Sequence, residues 1–322
     1  MSPFASPSPT RAAPRAALPI VLLSTLLLSS GQAHAQIFQQ GPIETREYRN
    51  PNLAPPVHAH GIETENMFGF TLGSDTDGAG SKTIANETIA RFSYRSGQYT
   101  AFGTKLEFAN GVTDNLAASF SLLGGYRVVR NVPDIKNINA VNFDGVGTEI
   151  RWRLLDRATS PIGLTLHVEP AMRMADEISG QRGIGVSSEN KLIIDTAFIP
   201  DQLFGAFNLL YDVEAFRPQR ETTTERASAF GFSLALSSQV APQFFLGGEL
   251  RYLRAYEGLG LNRYQGQALF LGPTLFWHIT DRAWISFAFN AQVAGRAVGD
   301  NRNLDLVNFN RYQGRLKVGV EF

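Results

Sequence analysis

Residues 283–294 read AWISFAFNAQVA. Ala283, Ile285, Phe287, Phe289, Ala291 and Val293 alternate with Trp284, Ser286, Ala288, Asn290, Gln292 and Ala294. A period of two marks a strand with one greasy face, because successive Cβ atoms leave the pleat on opposite sides. The C-terminus repeats it: Tyr312, Leu316, Val318, Val320 and Phe322 oppose Arg311, Gln313, Arg315, Lys317 and Glu321. So do two stretches farther upstream. Val146, Ile150, Trp152 and Leu154 oppose Glu149, Arg151 and Arg153, and Leu164, Leu166, Val168 and Met172 oppose His167, Glu169 and Arg173. A helix would set Arg151 and Trp152 only about 100° apart, whereas a strand puts them on opposite faces.

Working outward from these runs, short polar turns at 110–115, 156–161, 200–202, 239–243 and 280–282 alternate with longer polar connections. The longer ones fall at 130–141, 176–183, 218–225, 258–265 and 295–310. The hairpins are 83–94 with 99–109, 116–129 with 142–155, 163–175 with 184–199, 203–217 with 226–238, 244–257 with 266–279, and 283–295 with 312–322. Each run has enough residues for a tilted membrane crossing of roughly 9–11. An even strand number, with short turns at one end and longer loops at the other, is the pattern of an outer-membrane barrel. The expected fold is therefore all-β, a 12-stranded antiparallel transmembrane β-barrel over residues 83–322. MFGFTL at 67–72 also alternates. It is assigned to a pre-barrel segment, 36–82, that stays in the periplasm or enters the lumen. Pro42, Pro51, Pro55 and Pro56 give the first part of that segment no core of its own.

The N-terminus reads as an address. Arg11 and Arg15 precede the apolar run 18–28, and Ala33-His34-Ala35 supplies small residues for cleavage before Gln36. Residues 1–35 are thus expected to be a signal peptide. Lys+Arg 29 against Asp+Glu 29 excludes a strongly basic nucleic-acid binder. The absence of Cys excludes a disulfide scaffold, a thiolate zinc site and a thiol nucleophile. A mean hydropathy of −0.10 excludes a helical membrane bundle.

The two faces divide sharply. Phe230, Phe232, Leu234 and Leu236, with Phe244, Leu246, Leu250 and Tyr252, and Leu269, Leu271, Leu275 and Trp277, belong to the greasy face. Trp152, Trp277, Tyr126, Tyr211 and Tyr252 suit interfacial girdles. Charges take the other face, because Arg or Lys on a lipid wall costs about 2–4 kcal/mol near the midplane. The expected lumen-lining set is Lys105, Glu107, Glu149, Arg151, Arg153, His167, Glu169, Arg173, Lys191, Asp195, Asp212, Glu214, Glu249, Arg251, Arg315 and Lys317. Two outcomes are open: a narrow wet pore for a small solute, or a lumen filled by ion pairs that conducts little.

Candidate chemistry is sparse, and no catalytic, cofactor-binding or metal-ligating residue is assigned. His58 and His60 in the Pro-rich stretch fall short of the four ligands of a structural metal site. Asp75-Thr76-Asp77-Gly78 begins like a calcium loop, but Asn86 stands where the closing Glu belongs, so it reads as a turn. A barrel phospholipase needs a Ser-His-Asn set on its outer wall, and His167 has inward parity with no Ser two residues on. The chain reads as a non-enzyme.

The stretches FGFTLGSDTDGAG (68–80), GQYTAF (97–102), EFANGVTDNL (107–116), LDRATSPIGLTLHVEP (155–170), GPTLFW (272–277) and LDLVNFNRYQGRLKVGVEF (304–322) resemble uncharacterised proteobacterial outer-membrane barrels. These are similar to the transporter-like proteins labelled as the MetA pathway of phenol degradation. Gly111, Thr113 and Asp114 form the most specific piece. The resemblance implies passage of small solutes, hydrophobic or aromatic ones included, and offers no catalytic residue. Phe322, closing an amphipathic strand, resembles the signal read by the barrel-assembly machinery. Expected partners are therefore outer-membrane lipid, that machinery and a small-molecule solute, with no nucleic acid and no cofactor.

Overall fold

The computed structural model describes residues 62–322. The expected signal peptide, with most of the Pro-rich segment and His58 and His60, lies outside them. Twelve strands follow in order: β1 (Lys82–Phe92), β2 (Gln98–Thr113), β3 (Leu116–Arg130), β4 (Ile138–Leu155), β5 (Gly163–Ala175) and β6 (Arg182–Ile199). Then come β7 (Leu203–Pro218), β8 (Glu225–Ala241), β9 (Phe244–Glu257), β10 (Arg263–His278), β11 (Ala283–Ala297) and β12 (Tyr312–Glu321). Each pairs antiparallel with its neighbours in sequence, and β1 pairs with β12, so the sheet is a closed barrel. Closure leaves no free edge, which is what a sheet in lipid requires. Among the described residues no helix is long and apolar enough to cross a membrane; the strands form the wall.

Burial is inverted relative to a water-soluble protein. Trp152 (53%), Leu236 (53%) and Met172 (57%) are exposed, whereas Asp195 (1%), His167 (2%) and Glu249 (4%) are buried. A greasy circumference around a closed wall belongs in acyl chains. Trp152 and Trp277 lie near the short-turn end, while Tyr126 and Tyr252 lie toward the opposite end. The hydroxyl of Tyr211 donates to the Leu259 carbonyl in the loop after β9.

Two sequence expectations change. At the long-loop end the connections contract to 131–137, 176–181, 219–224 and 258–262, and only 298–311 stays long. Flanks such as Ile138–Asn142 continue the ladder against Val129–Gly125, since pairing satisfies their backbone groups whether or not lipid surrounds them. Asp75–Gly78 forms no turn of its own, the turn falling at 79–80; Arg151 donates to the Asp75 carbonyl and Arg157 pairs with its carboxylate.

The wall assignment makes a direct prediction. Leu234→Arg, in the middle of β8 and facing out, is expected to lower unfolding free energy by about 2–4 kcal/mol in lipid vesicles, read by urea titration. Thr222→Arg, in a loop, is expected to change it by less than about 0.5 kcal/mol. Equal, small effects at both positions would contradict a lipid-facing β8.

Candidate functional site: a plugged and charge-lined lumen

Residues 62–78 run inside the barrel, in the half nearer the short turns, and 79–80 turn in the open before β1. Met67 and Phe68 are fully buried and pack against Phe204, Phe245, Phe276 and Trp284 on β7, β9, β10 and β11. The rest of the segment is held by polar side chains of the wall. Glu249 accepts from the Phe70 amide (3.2 Å), the Thr71 amide (2.9 Å), the Thr71 hydroxyl (3.0 Å) and Asn290 Nδ2 (2.7 Å). Asp195 accepts from the Thr64 hydroxyl (2.5 Å), the Ser74 amide (3.0 Å) and the Ser74 hydroxyl (2.5 Å), with Arg157 Nε at 3.4 Å. Asn208 clasps Leu72 from both sides, accepting from its amide (2.7 Å) and donating to its carbonyl (2.8 Å). Arg151 donates to the carbonyls of Gly73 (2.7 Å) and Asp75 (2.9 Å), and Arg315 to that of Gly69. Losing a hydrogen bond to a charged partner here costs about 1.5–3 kcal/mol.

Two wall glycines admit this plug. A Cβ at Gly163 would lie 1.8 Å from the Ser74 hydroxyl, and one at Gly111 would lie 1.7 Å from the Gly78 carbonyl. Around Gly111 the departing chain is clamped by Gly80 N to Gly111 O (2.8 Å), Gly111 N to Ser81 O (3.0 Å) and Ala79 N to Asp114 (3.2 Å). The Gly111-Asp114 turn is therefore where the plug passes into β1.

Beyond the plug, toward the long loops, lies a vestibule of about 840 Å³. Every side chain in the expected lumen-lining set has inward parity in its strand, although the plug divides their surroundings. Arg151, Arg153, Asp195, Glu249 and Arg315 engage the plug. Lys105 stands among Glu169 (3.0 Å), Glu149 (3.4 Å) and Glu107 (3.9 Å), and Lys317 reaches Glu107 at 3.1 Å. Lys191 pairs with Glu189, and Arg173 lies 3.9 Å from Glu177. Arg251 donates to Gln313 (2.9 Å) and sits 4.2 Å over the Phe70 ring. Asp212 Oδ1 and Glu214 Oε1, both on β7, are buried without a hydrogen-bond partner. In the loop after β5, Arg91 at 2.5 Å holds the Glu177 carboxylate down to about 2.

Parity put Asn290 and Gln313 on the inward face, although the expected lumen-lining set held only ionisable side chains. Asn208 shares that parity and is a polar residue in an apolar run. Arg127 and Asp144 form a bidentate pair at 3.1 and 2.7 Å; Asp144 is the unpaired residue of the bulge opposite Leu123 and Gly124, which takes it off the parity of Glu149 and Arg151. Thr64, Ser74 and Arg157 carried no periodic signal.

The closed wall, inverted burial and polar lumen define the class as a β-barrel of the outer-membrane type. The chain belongs to a family of unknown function (DUF6662), matched over residues 60–322. That match carries no link to the MetA-pathway barrels. No curated protein matches the chain in sequence. Among solved structures, the COG4313 outer membrane channel from Pseudomonas putida F1 is 11% identical with a TM-score of 0.53, covering 77% of this chain and 98% of that one. The translocator domain of autotransporter NalP from Neisseria meningitidis is 13% identical with a TM-score of 0.44, covering 77% and 91%. The Pseudomonas putida toluene transporter TodX is 8% identical with a TM-score of 0.38, covering 83% and 99%. The first of these shows a shared fold.

Plug docking is expected to weaken as pH rises. Burial, with Glu65 and Glu321 nearby, pushes the Asp77 carboxyl up to about 7 against the opposing pull of Thr83 and Lys317. Between its ordinary value and about 7, Asp77 is protonated when docked and ionised when released, so docking weakens as pH rises through that window. Thr76→Cys, labelled with a membrane-impermeant maleimide and normalised to an exposed control cysteine, is expected to react more slowly at pH 5.5 than at pH 8. Asp77→Asn is expected to flatten that difference, while Asp195→Ala speeds labelling at least about tenfold, the equivalent of one lost charged hydrogen bond. Rates insensitive to both changes would contradict the docked plug.

Proposed function

We propose that the protein is an outer-membrane channel of a Gram-negative bacterium, with the vestibule facing outward and residues 62–78 as its gate. The observation that carries this reading is the plug itself. It closes the short-turn half of a closed barrel through reversible hydrogen bonds to wall carboxylates, leaving the opposite half hollow. The short turns then lie in the periplasm, as in other barrels of this architecture. The fold shared with an outer membrane channel and the signal-like N-terminus support the same location.

The vestibule suits a small solute. Its volume falls within the range of small-molecule sites, about 300–1,000 Å³. Phe70, Tyr94, Tyr256 and Phe309 offer ring faces between charged groups, so an aromatic solute bearing polar substituents fits better than a bare hydrocarbon. In this reading the lumen charges named above line the solute's path, and Phe322 serves insertion by the assembly machinery. A phospholipase-like activity has no support from His167, which is buried inside the wall rather than on its lipid face.

The ion-paired girdle around Lys105 favours a second reading, a non-conducting barrel whose interior serves stability. Planar-bilayer recording separates the two. The full chain is expected to open rarely and with low conductance, and the Asp195→Ala/Glu249→Ala double variant to open more often and more widely. Silence from both proteins over a wide voltage range would overturn the channel and leave the structural barrel.

A further inference from the structure

We propose that Glu149, His167 and Glu169 form a binding site for one divalent transition-metal cation at the floor of the vestibule. Glu149 projects inward from β4, and His167 and Glu169 from β5. One donor atom from each lies within 4.8 Å of the other two. Donor atoms about 2.0–2.2 Å from one cation stand closer together than that, so binding draws the three side chains inward.

His167 supplies an independent sign. It is 2% exposed, and neither ring nitrogen makes a hydrogen bond. Nδ1 faces Glu149 Oε1 at 3.5 Å, and Nε2 faces Glu169 Oε2 at 3.7 Å. Buried polar groups are almost always satisfied, so an imidazole with no hydrogen bond at either nitrogen calls for a partner; a cation takes one nitrogen and leaves the other facing a carboxylate.

The register gives a second sign. Glu169 on β5 stands directly opposite Glu189 on β6, which in turn stands opposite Asp212 on β7. Like charges opposed across strands are destabilising, so this row demands cations, one of which is Lys191 at Glu189. Lys105 meets part of that demand from β2, 3.0 Å from Glu169 and 3.4 Å from Glu149. Its ammonium occupies the cationic role that a metal ion would take over, and Glu107, 3.9 Å away, can receive it on displacement.

One imidazole and two carboxylates make a borderline-to-hard donor set, suited to zinc, manganese or ferrous ions and poorly suited to copper(I). Three protein ligands leave coordination positions for water or for Glu189, whose Oε1 lies 3.9 Å from His167 Nε2. All three ligands line the vestibule, so the ion arrives from the long-loop end without passing the plug. The site therefore binds whether or not the barrel conducts.

Isothermal titration of the tag-free full chain in detergent micelles with zinc chloride tests the proposal, with heat-modifiable migration reporting the folded barrel. One zinc per chain is expected. His167→Gln and Glu169→Gln each weaken binding at least about tenfold, the scale of lost metal-site interactions. Lys105→Met tightens binding several-fold, because it removes the competing ammonium while keeping the length of the side chain. Absence of saturable binding below about 1 mM, or an affinity unaltered by His167→Gln, would overturn the site. Should His167→Gln fail to fold, Lys105→Met decides: tighter binding upholds the site, and unchanged or weaker binding refutes it.

Discussion

A carboxylate that turns away from lipid must still find donors, and inside this barrel Asp195 and Glu249 find them largely on a segment that belongs to no strand. Each accepts at least three hydrogen bonds, most of them from the amides and hydroxyls of residues 64–74. Neither can be satisfied by its neighbours in the wall alone. Breaking a buried charge away from its partners costs about 3–5 kcal/mol. The lumen and the plug are in this sense one structure: the wall's charges face inward because lipid excludes them, and the plug is ordered because those charges need donors.

Barrel size explains why a plug is possible. Eight strands enclose just enough space for side chains to fill, and 16 or more leave an aqueous channel. Twelve strands leave an intermediate interior, and here its two halves are treated differently. The short-turn half is packed, greasy on the β7–β11 side where Met67 and Phe68 sit. On the β1–β4 side it is polar, and Glu65, Glu149, Arg151 and Lys317 line both the vestibule and a water-sized gap of about 20 Å³ beneath it. The plug is thus sealed by packing along one flank and by ion pairs along the other, the flank that charge or hydration alters most readily.

The wall was legible in the sequence because alternation is local. Ala283 to Val293 announces its outward face within one strand, and Arg315 and Lys317 announce the inward face by parity alone. The plug was only half legible. Residues 67–72 alternate as a short strand would, yet they form no ladder, since their partners are Asn208 and Glu249, 136 and 178 residues away in sequence. No local period encodes such contacts. Asp75 looked like part of a turn for the same reason: Arg157, its partner, lies in a turn between β4 and β5 that nothing in the sequence connects to residue 75.

The central claim is that the segment before β1 is held inside the barrel by wall carboxylates, and amide hydrogen exchange on the protein in lipid nanodiscs tests it most directly. The account predicts that peptides covering residues 64–74 exchange far more slowly than those covering the loop at 219–224, with Glu249→Ala releasing protection at Phe70 and Thr71 while the strands stay protected. Exchange of 64–74 at the rate of unstructured chain, beneath a fully protected wall, would contradict it.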